Sequence, residues 1–281
     1  MKKRLFSIIL IMFAHFAEAQ WETIKCPFAG TNFPDINSIY FVNYNYGLAA
    51  GNETSNKSGL IARTVDGGST WDTIYNSGAD TVSYLKIVCF NKDTSVAVGH
   101  NQYVKGEIIQ SSNGGTSWNK TSMNNPMTAV CKTSTKTCYA VGFKGTIVKS
   151  TDAGNTWTVL TSGSVSDFES VFFVNDSIGF ATGDSSVLKT VDAGSTWTQT
   201  TLSMIDNITN VYFTSKNDGY ILASSGSNNY KVFKTTNQGS SWNFISTINY
   251  SLVFGDMIFT NDSTAYIPGQ FVCCYIKSLH D

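Results

Sequence analysis

One eight-residue motif recurs five times along this chain, and that recurrence constrains the fold more than any other feature. The copies are Thr64-Val65-Asp66-Gly67-Gly68-Ser69-Thr70-Trp71, Ser111 to Trp118, Ser150 to Trp157, Thr190 to Trp197 and Thr235 to Trp242. Their common form is a hydroxyl residue, any residue, Asp or Asn, any residue, Gly, any residue, a second hydroxyl residue, and Trp. Each type suits a tight hairpin. Asp66, Asn113, Asp152, Asp192 and Asn237 can bond backbone amides two residues on, and Gly accepts positive φ at the reversal. Trp71, Trp118, Trp157, Trp197 and Trp242 bury a large face against a neighbouring sheet. The carboxylates are therefore turn formers rather than catalysts.

Counted from Trp21, the tryptophans recur every 39–50 residues. Four short runs fill each interval: an alternating run before the motif, a strand headed by Trp after it, an apolar run such as Ser170-Val171-Phe172-Phe173-Val174, and a small-residue run such as Gly179-Phe180-Ala181-Thr182-Gly183. That period matches a four-stranded propeller blade. One such sheet cannot bury both faces, so the units must stack around an axis. The reading is an all-β chain, a six-bladed β-propeller of four-stranded antiparallel blades, with an incomplete seven-bladed ring as the alternative. Repeat units run over about 21–70, 71–117, 118–156, 157–196, 197–241 and 242–281.

Residues 1–19 stand outside this repeat. Lys2, Lys3 and Arg4 precede an apolar run, and Ala17-Glu18-Ala19 supplies a small-x-small cleavage pattern, as in a secretory signal peptide. Residues 20–281 then form one exported domain: periplasmic, cell-surface or extracellular. No later apolar run is long enough to span a bilayer. Only 14% of the residues are charged and the net charge is −1, which excludes a strongly basic nucleic-acid binder.

The five motifs resemble the Asp-box, or bacterial neuraminidase repeat, of propeller hairpins. The density of boxes is most similar to the photosystem II assembly and stability factor family and to related secreted bacterial propellers. That resemblance implies a non-catalytic scaffold binding a protein partner in the assembly or stabilisation of a membrane complex. It also admits a cell-envelope propeller that binds or cleaves carbohydrate. Sialidases with this repeat clamp a carboxylate with three arginines, and Arg63 is the only arginine beyond the leader. It occupies the same repeat slot as Gln110, Lys149, Lys189, Lys234 and Lys277, an edge position of a blade, so sialidase activity is excluded.

Other chemistry is thinly represented. Asp35, Glu53, Asp80, Glu107, Asp167, Glu169, Asp184 and Asp206 lie outside the boxes and read as solvated loop acids, with no spacing that selects a catalytic pair. His100 reads as a loop residue. No metal-ligand spacing or phosphate-cradling loop occurs, and no cofactor is expected. A ligand site would lie where blade loops converge on the axis. Asn52, His100, Phe143, Asp184 and Gln270 leave equivalent strands there and should ring one channel mouth. Tyr44, Tyr46, Tyr103, Phe143 and Tyr230 are the aromatics that could meet a glycan. A monomer is expected.

Six cysteines in an exported chain permit disulfides. Cys131 and Cys138 flank one hairpin and are expected to pair, while Cys89 reads as a buried hydrophobe. Trp21 to Cys26 mimics a post-box strand and Tyr275 to Ser278 a pre-box strand. The two ends are expected to complete the sixth blade, with a Cys26–Cys273 disulfide (Cys274 the fallback) locking the ring.

Overall fold

The computed structural model describes residues 34–53, 58–226, 229–249, 257–259, 264–267 and 275–278. Residues 1–19, Trp21 to Cys26, Gln270, Cys273 and Cys274 lie outside the described residues.

Six antiparallel sheets follow one another, each with its strands in chain order. The first holds β1 (Pro34–Phe41), β2 (Gly47–Glu53), β3 (Gly59–Thr64) and β4 (Asp72–Asn76). The second holds β5 (Ser83–Cys89), β6 (Ser95–Asn101), β7 (Lys105–Ser111) and β8 (Asn119–Met123). The third holds β9 (Met127–Lys132), β10 (Cys138–Gly142), β11 (Ile147–Ser150) and β12 (Thr158–Leu160). The fourth holds β13 (Ser170–Phe173), β14 (Gly179–Gly183), β15 (Ser186–Thr190) and β16 (Thr198–Thr201). The fifth holds β17 (Asn207–Phe213), β18 (Gly219–Ser224), β19 (Asn229–Thr235) and β20 (Asn243–Asn249). In the sixth, β21 (Ile258–Phe259), β22 (Thr264–Ile267) and β23 (Tyr275–Ser278) are described. The arrangement is a six-sheet β-propeller. Each sheet closes one strand later than the Trp-to-Trp repeat, because the Trp strand is the outer edge of the sheet that precedes it.

Burial varies with distance from the axis, and the sequence pattern follows. Second strands such as β10 and β14 are buried at every residue, so they read as small and apolar throughout. Outer strands face water: all of Thr198-Gln199-Thr200-Thr201 is exposed. Between sheets lie shared cores. Tyr139, Phe168, Val171 and Phe173 fill the joint between the third and fourth sheets, and Phe180, Val211 and Phe213 that between the fourth and fifth. Tyr139 stacks on Phe173 at 3.8 Å, with the Lys149 ammonium 5.3 Å over the tyrosine ring.

Every described box joins the third strand of a sheet to its fourth. In the first, Thr64 Oγ1 accepts from the amides of Asp66 (3.3 Å) and Gly68 (2.8 Å). Asp66 Oδ1 accepts from Thr70 N (2.9 Å), and Oδ2 from Thr70 Oγ1 (2.6 Å). The carboxylate thus reaches four residues on rather than two, and the leading hydroxyl serves the nearer amides. Asn113 and Asn237 keep the pattern by donating Nδ2 to Ser117 and Ser241 (both 2.9 Å).

The boxes also join sheets. Gly154 sits at φ +86, where a Cβ would lie 2.3 Å from Val96 Cγ2 of the preceding sheet. Only glycine meets both demands. Arg63 donates from Nη1 to Gly114 O (3.1 Å), and Lys149 from Nζ to Ala193 O (3.2 Å). Arg63 is therefore not an edge residue: β3 is an interior strand, and its guanidinium reaches the box of the next sheet.

The Cys131–Cys138 disulfide is not formed; Cys89, Cys131 and Cys138 are free thiols. Thr133 N bonds Thr137 O (3.0 Å), closing a three-residue loop. That loop sets Cys131 opposite Tyr139, and Cys138 opposite Lys132. The cysteines are one residue out of register and so point to opposite sheet faces. Burial pushes the Cys89 and Cys131 thiols up to about 12.

Candidate functional site

The innermost strands β1, β5, β9, β13 and β17, with Met257, enclose an axial cavity of about 790 Å³, within the usual range for ligand pockets. Three inner strands step out of register at the same level, where Asn37, Leu85 and Thr209 are skipped by the ladder. Thr128 occupies the equivalent bulge in β9. Glu169, just ahead of β13, stands at the same level, its amide bonded to Thr182 O (2.8 Å). All five line the cavity. One step deeper, Lys86 is the charged member of a level otherwise formed by Ser38, Ala129, Ser170 and Asn210. Burial lowers the Lys86 ammonium to about 8 against the opposing pull of Cys131. Lys132 closes the far end, donating to Cys89 O (2.7 Å).

The bulge level is one mouth of the channel, and the four described residues of the expected ring lie at equivalent ends of second strands. They do not form one continuous site. Asn52 is buried: its Nδ2 donates to Asp35 Oδ2 (3.2 Å) and its Oδ1 accepts from Ser83 Oγ (2.6 Å) of the next sheet. His100 is no loop residue but the penultimate residue of β6, 4% exposed. Its Nδ1 accepts from Tyr103 N (3.2 Å), its Nε2 has no partner, and burial lowers its pKa. The His100 and Tyr103 rings lie 4.2 Å apart, tilted by 35°, and Tyr103 stacks beside Phe143 at 6.0 Å and 22°. These three form a shelf spanning the second and third sheets. Asp184 accepts from Asp167 N (3.0 Å) and stands apart from it.

Of the aromatics proposed for a glycan, only Tyr103 and Phe143 come together. Tyr44 projects from the opposite, box-bearing face, and Tyr46 is buried with its hydroxyl on Lys92 O (2.7 Å). Tyr230 lies within β19.

Two acids depart from the solvated-loop reading. Glu107 accepts from the hydroxyl of fully buried Tyr84 (2.5 Å) and lies 3.7 Å from Lys120, which also pairs with Asp80 (2.9 Å). Glu169 is half-buried in the cavity wall. Burial, then the charges of Asp167 and Asp184, raise its carboxyl to about 7. Sequence spacing had singled out no carboxylate group, yet the fold brings these three together. The usable signal was a charge interrupting an apolar inner run, as Lys86 does between Leu85 and Ile87. Among the described residues, no group of three or more His, Cys, Asp or Glu could hold a metal. No described helix is long and apolar enough to cross a membrane.

No family model matches the chain, and no curated protein sequence does. Solved structures do. The chain resembles YCF48 bound to D1 peptide, with a TM-score of 0.57 at 13% identity over 88% of this chain and 94% of that one. YCF48 from Cyanidioschyzon merolae gives 0.53 at 13% over 86% and 95%. An ancestral GH74 enzyme gives 0.66 at 11% over 88% of this chain but only 36% of its own. At such identities the likeness establishes the class, a β-propeller, and the fold alone.

Proposed function

We propose that this chain is an exported, non-catalytic propeller that holds a protein partner on its mouth face. The observation that carries this reading is the His100–Tyr103–Phe143 shelf. Tyr103 and Val104 are 68% and 67% exposed there. Val165 and Met204, on the connections ahead of β13 and β17 at the same end, are 88% and 75% exposed. Large apolar side chains held at one rim by ordered turns suit a docking surface. A propeller of similar shape solved with a bound peptide supports the same reading. A role in assembling a membrane complex belongs to this proposal through the family resemblance.

The alternative is a carbohydrate-binding or glycoside-hydrolase-like propeller, favoured by Asp167, Glu169 and Asp184 beside the cavity. The test is capture from envelope extract with the wild-type chain and with Tyr103→Ser, run beside a glycan array and a polysaccharide-hydrolysis panel. A protein enriched by the wild type and lost with Tyr103→Ser supports the scaffold. Glycan binding or hydrolysis without that enrichment replaces it with the alternative.

A further inference from the structure

Glu169 is a carboxylate in the wall of a cavity with no donor of its own. Among the described residues its carboxylate makes no hydrogen bond or ion pair, and only like charges, Asp167 and Asp184, act on it. Its neighbours at the bulge level cannot supply donors. Thr128 commits its hydroxyl proton to Phe168 O (2.6 Å) and Thr209 to Leu222 O (3.1 Å). Asn37 commits Nδ2 to Tyr84 O (3.0 Å). Beside the Glu169 carboxylate this level therefore offers acceptor oxygen, the hydroxyl lone pairs of Thr128 and Thr209, while Leu85 is apolar. Just outside, Asp184 is exposed and Asp167 partly so. Below, Lys86 bars a cation from going deeper.

We propose that this mouth of the axial cavity binds an organic ammonium group, with Glu169 as its charged anchor and Thr128 and Thr209, on the flanking strands β9 and β17, as further acceptors. A carboxylate with hydroxyl oxygens on the two flanking strands can accept from the three protons of a primary ammonium. A metal ion is the poorer fit, since no described group of side chains has a metal-holding arrangement. The ammonium could belong to a free amine or to a lysine or chain terminus of a bound protein. The inference goes beyond the partner reading and does not need it.

Facing Glu169 are Asp167 on its own lead-in, Asp184 from the turn after β14, Thr128 from β9 and Thr209 from β17, with Lys86 a level below. Glu169 ionises near neutrality, its charge present above about pH 7 and lost below it, while Lys86, at about 8, gains its charge as pH falls through the same region and opposes a cation.

The test is calorimetric titration of the leader-free chain with n-butylammonium, with spermidine, and with a short acetylated peptide carrying one lysine. Butanol and a norleucine version of the peptide are the neutral controls. The charged probes should bind at pH 8 and weaken roughly tenfold at pH 6, as Glu169 takes its proton. Glu169→Gln should weaken binding at least about tenfold and leave only the smaller pH dependence that Lys86 contributes. Asp184→Asn should weaken it by a smaller factor, which keeps the idea testable if the first variant fails to fold. Binding by the free amines assigns a small-molecule source, and binding by the lysine peptide alone assigns a protein source. Failure of all charged probes at pH 8, equal binding of the neutral controls, or full binding by Glu169→Gln overturns the proposal. Tyr103→Ser should leave this binding intact, so its failure and that of the partner reading remain distinguishable.

Discussion

At the box face, side chains satisfy their own turns and grip the next sheet; at the mouth face, they are left facing the channel or the solvent. Thr70 and Thr196 bond Asp66 and Asp192 by hydroxyl and amide, holding both carboxyls down at about 2. In Asp152 slight burial pulls upward, and the bonds from Thr156 and Ser150 override it to give about 2. Glu169, at the other end of the same sheets, is driven up to about 7 by burial and like charge. One face is stabilised by its carboxylates and the other is loosened by one. Unfavourable electrostatics that persist in a folded chain mark the place to look for a ligand.

The largest expected effect tests whether the box glycines are as constrained as the geometry implies. Gly154→Val adds both a positive-φ penalty and a clash with Val96, and should cost more than about 3 kcal/mol or abolish folding. Urea unfolding measures it. Tyr103→Ser, at the exposed mouth, should stay within about 0.5 kcal/mol of wild type in the same assay. If both substitutions cost alike, the contrast between faces fails.

The pH dependence should be opposite at the two faces. Asp66, Asp152 and Asp192 have depressed folded values, so their stabilisation is present above about pH 4 and lost as pH falls toward 2. Glu169 has a raised value, so its own contribution to stability falls as pH rises from about 4.5 to about 7 and is level beyond. Melting temperature against pH should therefore peak near the lower end of that second window. Glu169→Gln should flatten the neutral limb only, and Asp152→Asn should soften the acid limb. A Glu169→Gln profile that keeps the neutral slope contradicts the placement of that charge.

The smallest effect concerns Ala193, held at φ +59 where the first two boxes carry Gly67 and Gly114. Ala193→Gly should raise stability by up to about 1 kcal/mol, read from the same melts. A loss would show that the alanine methyl contributes packing that outweighs its backbone strain.

Sheet order, strand count and hairpin position were legible because they follow from local chemistry: turn residues at fixed offsets and burial graded from axis to rim. What escaped depends on register. A three-residue loop separated Cys131 from Cys138, although their spacing in the chain invited a bridge. The alignment of Asn37, Leu85, Thr128, Glu169 and Thr209 at one level depends on bulges in separate strands, and no linear pattern displays it. Arg63 shared a repeat slot with lysines, but only the stacking of sheets reveals that the slot points forward to the next box.

That forward reach gives the molecule a direction. Gly115 rests on Ile74, Gly154 on Val96, Gly194 on Leu160 and Gly239 on Phe180, each on the sheet before it. Arg63 and Lys149 likewise extend from an earlier sheet to a later turn. A chain emerging amino-terminus first therefore presents each platform before the turn that must settle on it. Synthesis and docking run in the same order. Circular permutants that begin at a later sheet would reverse that order at the new joint, with the described contacts between sheets unchanged.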